Sequence, residues 1–272
     1  MSNRICFIVG HGKGKSGGYD PGACAGGFEE FQIAKNICKF AYEYYNENYS
    51  ETADIMNYDG NIYLNDRIKK LKTDKYDFIA EIHLNAGGGV GTECYYHHES
   101  KKGKLYAQTI TDNISAALGT TDRGAKIKLN KNGEDYFGII RSTKPCAVLI
   151  ETVFIDNAFD LTRIKTAEGQ RKCGEAIAKA VASVRGLIAK TPATTVSKPA
   201  TTTKPTTATK YFAKYSGKSN SLVDALKAVK INSAYSYRKK IAAANGVKLY
   251  IGTAKQNTQL LSLLKKGKLI KP

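Results

Sequence analysis

Two histidines occupy the same kind of place in this chain. His11 closes Ile5-Cys6-Phe7-Ile8-Val9-Gly10-His11-Gly12, and His83 lies in Glu81-Ile82-His83-Leu84-Asn85-Ala86-Gly87-Gly88-Gly89. Each follows a short apolar run of the kind that makes a buried strand. Each leads into glycine-rich chain that must turn tightly. Ligands of an open α/β sheet bind just past the carboxyl ends of its strands, so two imidazoles at two strand tips are expected to share one site. The ion that suits such a pair is zinc. A single histidine on a strand is more often a packed or surface residue, and His97 and His98 read that way, because adjacent residues on a strand point to opposite faces. The repeated placement is what sets His11 and His83 apart.

A catalytic zinc takes three protein ligands and keeps a position open for water. The third ligand is sought one helical turn before Ile33, where Glu29 and Glu30 open a helix. Carboxylates in a first turn ordinarily complement the helix dipole; that reading fits one of the two, and a ligand role fits the other. A further carboxylate must take a proton from the water and pass it to the leaving group. Glu151 is the candidate, at the tip of the apolar run Pro145 to Phe154. The bland alternative for Glu151 is a buried ion pair or a helix cap.

The elements that must position these residues alternate between strand and helix patterns over residues 1–190, the signature of an α/β domain with a mostly parallel sheet flanked by helices. Strands are predicted from Arg4 to Val9, Asp54 to Tyr58, Tyr76 into His83, Gly91 to His97 and Pro145 to Phe154. Helices are predicted over about 28–45, with Ile33, Ile37, Phe40 and Tyr44 at helical spacing, and over 64–71, 102–118 and 168–189. Asp20-Pro21-Gly22 is a turn signal, and from Arg123-Gly124-Ala125-Lys126 onward the chain reads as irregular. Residues 191–209 hold nine Thr and three Pro with no apolar periodicity, the composition of an extended, semi-stiff linker. Residues 210–272 read as a small helical domain with helices over 221–229, 236–244 and 256–265, punctuated by Asn245-Gly246 and Ile251-Gly252.

The charge is unevenly spread. The formal total is +18, yet residues 1–190 hold 26 Lys and Arg against 23 Asp and Glu. Residues 210–272 carry 14 Lys and Arg against one acid, Asp224. A module this basic answers an anionic partner: nucleic acid, a membrane or an acidic wall polymer. Hydrophobic content of 42% suits a globular core, and no apolar run is long enough to span a bilayer. Met1-Ser2-Asn3-Arg4 leads into a strand without a signal-peptide core, so the expectation is synthesis in the cytoplasm and release by other means. The six cysteines, at 6, 24, 38, 94, 146 and 173, include no Cys-x-x-Cys pair and read as buried free thiols rather than a disulfide framework.

Four motifs in order carry a resemblance that covers essentially all of residues 1–190. Ile8-Val9-Gly10-His11-Gly12, Glu30-Phe31-Gln32 opening a helix, Glu81-Ile82-His83-Leu84-Asn85-Ala86, and Ser142-Thr143-Lys144-Pro145 running to Glu151 resemble the zinc-dependent N-acetylmuramoyl-L-alanine amidases of the amidase-3 family. They resemble the phage endolysin branch above all. Arg123-Gly124-Ala125-Lys126 and Phe154-Ile155-Asp156-Asn157 are similar to that family too. The resemblance implies that His11, Glu30 and His83 bind Zn2+ and that Glu151 is the catalytic carboxylate; Phe31-Gln32 is what favours Glu30 over Glu29. It implies hydrolysis of the amide between the lactyl group of N-acetylmuramic acid and L-alanine of the stem peptide, with peptidoglycan as partner and release from the host cytoplasm through a holin-type membrane lesion. The stretch Tyr211 to Pro272 is similar to cell-wall-binding modules of Gram-positive endolysins, which implies an anionic wall polymer as its partner and neither nucleic acid nor membrane. Two readings compete: a nucleic-acid-binding protein using the basic tail, with Tyr235, Tyr237, Arg238, Lys239 and Lys240 interleaved, and a thiol hydrolase using Cys24 or Cys146. A wall-binding structural protein without activity is a third, but no expected ligand is missing.

Overall fold

The computed structural model of the chain describes residues 5–72, 74–190, 211–217, 219–233, 235–247, 250 and 254–272. The Thr- and Pro-rich stretch 191–209, Arg4 and the Ile251-Gly252 turn signal lie outside the described residues. The chain divides into two compact units, Met1–Thr194 and Thr195–Pro272.

The first unit is built on strands β1 (Ile5–Val9), β2 (Ala53–Met56), β3 (Phe78–Asn85), β4 (Thr92–Tyr96), β5 (Asp122–Lys126) and β6 (Cys146–Phe154), in one sheet of order β2-β1-β3-β6-β4-β5. The first four in that order are mutually parallel. β4 runs antiparallel to β6, and β5 follows β4 in parallel. Helices α1 (Glu30–Asn48), α2 (Leu64–Leu71), α3 (Lys101–Leu118), α4 (Gly138–Arg141), α5 (Ala158–Ile164) and α6 (Ala167–Val184) flank it. Alternating strand residues sort to opposite faces. Phe7, Val9, Ala80, Ile82, Val148 and Ile150 share a core with α1, α3 and α6. Cys6, Ile8, Ile79 and Leu149 share a second core with Ile68 and Leu71 of α2 and Ile139 and Ile140 of α4. With both faces covered, β1 is buried at every residue, which is why it reads as a continuous apolar run rather than an alternating one.

Two elements depart from the sequence reading. Arg123 to Lys126 belongs to a strand, β5, rather than irregular chain. It is an edge strand whose Asp122 and Arg123 are exposed, and it meets β4 across a register shift at Thr92/Glu93, so no apolar alternation marks it. Helix α5 is too short to display a period; its start is set by Asn157, whose side chain accepts from the backbone N–H of Phe159 and Asp160, an N-cap.

In the second unit, α7 (Leu222–Ala228), α8 (Tyr235–Ala244) and α9 (Ala254–Lys265) pack around Leu222, Leu226, Ile241, Leu260 and Leu264. An antiparallel bridge between Tyr211 and Ile270 ties its ends. Among the described residues no helix is long and apolar enough to cross a membrane.

Candidate metal centre

The parallel register of β1 and β3 sets Val9 beside Ile82, so the chain delivers His11 and His83 to neighbouring strand tips. Gly10 donates its N–H to Ile82 O at 3.1 Å, and the His83 ring lies against it. A Cβ on Gly10 would fall 2.4–2.7 Å from three ring atoms of His83, so only glycine fits there. His11 itself has φ 56°, a left-handed conformation that non-glycine residues adopt mostly where the surroundings enforce it. The two rings stand 4.8 Å apart at 76°.

Glu30, the first residue of α1, completes the group. The loop before it is pinned by Glu30 N–H to Ala23 O and Phe31 N–H to Pro21 O, both at 2.9 Å. One oxygen, Oε2, accepts from Ala23 N at 2.8 Å. The other, Oε1, accepts from Leu84 N at 3.0 Å and lies 2.8 Å from His83 Nδ1 and 3.1 Å from His11 Nε2. Glu29 turns away and accepts from the Tyr19 hydroxyl. The choice between the two glutamates therefore falls on Glu30, and His11, Glu30 and His83 each bring a donor atom within 4.8 Å of the others.

The outward imidazole nitrogens also meet carboxylates. His11 Nδ1 is 2.9 Å from Asp20 Oδ2, and His83 Nε2 is 3.5 Å from Glu81 Oε2. Glu81 is buried and pairs at 2.9 Å with buried Arg67, whose Nη1 also donates to Val9 O at 2.8 Å. Carboxylates behind ligand histidines fix tautomer and ring orientation, so this arrangement presents His11 Nε2 and His83 Nδ1 toward Glu30. Sequence reasoning missed both. Asp20 reads as a turn residue with nothing in its spacing to mark it. Glu81 carried a usable signal: two residues before His83 on a strand, it shares that face.

Glu151 sits in register with His83 across the β3–β6 pair and with Glu93 across the β6–β4 pair. Its Oε2 is enclosed and has no hydrogen-bond partner. Burial pushes this carboxyl up to about 7; His83 pulls it down and the nearby Glu30 and Glu93 carboxylates push it up. Glu30 goes the opposite way: burial opposes its charge, but hydrogen bonds from His11 and His83 outweigh that and hold it well below the carboxylate range. Burial likewise opposes the charge of His83, which contacts with Glu30 and Glu81 raise well above the ordinary imidazole range. An anionic pocket of this kind stabilises positive charge. All four residues line a cleft of about 450 Å³, with Tyr63 and Phe137 among its other walls.

Neither thiol of the competing hydrolase reading lies in this group. Cys146 begins β6, at the far end of the strand from Glu151, and burial raises its thiol. Cys24 is exposed, with Sγ directed at Gly22 O. His97 and His98 are not on a strand, contrary to their sequence reading. β4 ends at Tyr96, and the turn that follows stacks the two rings in parallel, 4.8 Å apart at 13°.

Comparison with known proteins identifies the family. The description of the N-acetylmuramoyl-L-alanine amidase family, amidase-3, matches residues 5–183. The chain is 30% identical over 182 residues to N-acetylmuramoyl-L-alanine amidase LytC of Bacillus subtilis (strain 168), covering 65% of this chain and 34% of that protein. It is 32% identical over 172 residues to the sporulation-specific N-acetylmuramoyl-L-alanine amidase of the same organism, covering 60% and 61%. The chain thus spans about a third and three-fifths of the lengths of these curated relatives. Among solved structures, the catalytic domain of the CD27L endolysin targeting Clostridia Difficile matches with a TM-score of 0.53 at 30% identity, covering 66% of this chain and 97% of that one. The chain belongs to the amidase-3 family of N-acetylmuramoyl-L-alanine amidases.

Proposed function

We propose that this protein is a zinc-dependent endolysin that hydrolyses the amide between the lactyl group of N-acetylmuramic acid and L-alanine in the peptidoglycan of Gram-positive walls. One observation carries the reading: donor atoms of His11, Glu30 and His83 converge from three separate elements, with Glu151 in register beside them. The donor set fits zinc, two imidazoles and one carboxylate being a hydrolytic combination. The enclosed, unpartnered Oε2 of Glu151 fits a cationic neighbour in the cleft.

Zinc, held by His11, Glu30 and His83, would supply Lewis acidity for the scissile carbonyl and for a water. The remaining work falls to the chain. Glu151 takes the proton of the attacking water and returns it to the leaving L-alanine amine, serving first as general base and then as general acid. Asp20 and Glu81 hold the two imidazoles in the tautomers that face Glu30, and Arg67 balances the buried charge of Glu81. Tyr63 and Phe137 shape the cleft wall against which the substrate lies.

The second unit is read as the wall-binding module, its 14 basic residues against one acid over 210–272 answering an anionic wall polymer. Likeness to an endolysin catalytic domain supports synthesis in a host cytoplasm, with release through a holin-type lesion. The test is turbidity loss of purified Gram-positive walls with and without chelator, followed by assay of newly freed L-alanine amino termini. Lysis that releases those termini, stops with chelator and ignores thiol alkylation is the expected result. Lysis indifferent to chelator and stopped by alkylation would overturn the zinc reading.

A further inference from the structure

The chain has four histidines, and they fall two by two around a carboxylate. The second group is His97, His98 and Asp135. We propose that it is a second site for a divalent transition metal, structural rather than catalytic, which fastens the loop over residues 127–137 to the turn between β4 and α3.

Three observations point there. One ligand atom each from His97, His98 and Asp135 all lie within 4.8 Å of one another. His97 Nε2 is 3.3 Å and His98 Nδ1 3.0 Å from the same oxygen, Asp135 Oδ2. Ligands about 2.0–2.1 Å from a tetrahedral zinc stand about 3.3 Å from each other, so small movements admit the ion. Asp135 has an exposed-to-solvent fraction of only 3% in an otherwise open loop. It is held for the role by His98 N–H donating to Oδ1 at 3.1 Å and by Arg141 donating to its carbonyl oxygen. The parallel ring stack aims both imidazoles at one acceptor, and each ring keeps an edge exposed to water.

The site is separate from the catalytic group. β4 is antiparallel to β6, so Glu93 pairs with Glu151 at one end while Tyr96, next to His97, pairs with Val148 toward the other. Four residue steps along the chain lead from Glu93 to His97, roughly 13 Å when extended. Yet the fastened loop runs directly into Phe137, which packs on Tyr95 at 4.8 Å and lines the catalytic cleft. A metal on Asp135 would therefore stiffen one cleft wall from behind.

The experiment uses the untagged full-length chain, stripped by chelator, reloaded with excess Zn2+, desalted and analysed for metal. The expected content is two zinc per chain in the parent, one in His98→Ala, one in His83→Ala and none in the double variant. His97→Gln, at a side chain 39% exposed, gives the same single loss and serves if His98→Ala does not fold. Equal zinc in the parent, His98→Ala and His97→Gln would overturn the proposal. The His83→Ala arm reports on the catalytic group alone, so the two readings fail independently. In the His83→Ala background, Zn2+ at about ten times its Kd is expected to slow tryptic cleavage after Lys128 and Lys131 about tenfold, and His98→Ala to abolish that protection. Cleavage unaffected by Zn2+ would overturn the fastening role.

Discussion

At the scale of single residues, Glu151 stands out because its surroundings oppose its charge. Its Oε2 is enclosed without a partner, and Glu30 and Glu93 lie nearby. Glu151→Gln keeps the shape and removes the proton carrier, so zinc content and fold are expected to persist while turnover falls by about 10²–10⁴-fold. Lysis at the parental rate would remove Glu151 from its assigned role. The same environment has a thermodynamic consequence in the metal-free protein. With its folded value raised from 4.5 to about 7, the carboxyl contributes stability that is complete below about pH 4.5 and is lost as pH rises through 7. Chelator-treated Glu151→Gln lacks that loss and is expected to gain on the parent between pH 4.5 and 8, by roughly 1–3 kcal/mol. Urea melts at the two pH values measure it, and a constant difference would contradict the burial argument. Gly10 acts through space rather than charge. Gly10→Ala drives a methyl into the His83 ring, so metal affinity is expected to fall at least about tenfold, as for lost ligand orientation. Unaltered zinc retention would mean that the ring has room to move. At this scale the sequence marked His11 and His83, because strand tips followed by glycine are visible locally, whereas Glu30 was set apart from Glu29 only by the family resemblance. It did not disclose Asp20 or Glu81, whose roles exist only once the imidazole they face is in place.

At the scale of elements, the site depends on where α1 begins, and α1 is placed by its packing on α6. Gly174 of α6 makes that contact: a Cβ there would come within 2.5 Å of Ile37 O and 2.8 Å of Ala41 N, both backbone atoms of α1. Glycine inside a helix is worse than alanine by about 0.5–1 kcal/mol on propensity alone. Gly174→Ala nonetheless is expected to destabilise by about 1–3 kcal/mol, because the added methyl forces two backbones apart. A denaturant melt decides the sign, and a gain in stability would refute the close approach. The elements legible in the sequence were those with an internal period or a sustained apolar run: β1, β3, β6, α1 and α3, with β2, β4, α2 and α6 placed to within a few residues. β5, by contrast, is polar because it is an edge, and α5 is a capped helix of only seven residues. The antiparallel sense of β4 comes from its pairing with β6, and the meeting of His97 and His98 with Asp135 spans 37 residues, beyond the reach of any local pattern.

At the scale of the whole molecule, chemistry and charge are divided between two compact units. His11, Glu30, His83 and Glu151 fall within Met1–Thr194, which folds around its own sheet and cores. The excess charge falls in the other unit, whose apolar core is also its own. If the basic unit holds the enzyme at the wall, it raises local substrate concentration without altering the reacting groups, an effect worth about 10²–10⁴ in avidity when geometry allows. Removing residues 191–272 is therefore expected to leave hydrolysis of a soluble muramoyl-peptide within about twofold while lysis of intact walls falls by an amount of that order. Because the attraction is between charges screened over about 8 Å at 0.15 M salt, added NaCl is expected to weaken wall binding of the full chain steeply and to change the truncated form little. Binding measured on purified walls, with duplex DNA as the control polyanion, separates a wall module from a general cation. Stronger retention on DNA than on walls would move the second unit to nucleic acid, and loss of soluble-substrate hydrolysis on truncation would mean that the first unit is not catalytically self-sufficient.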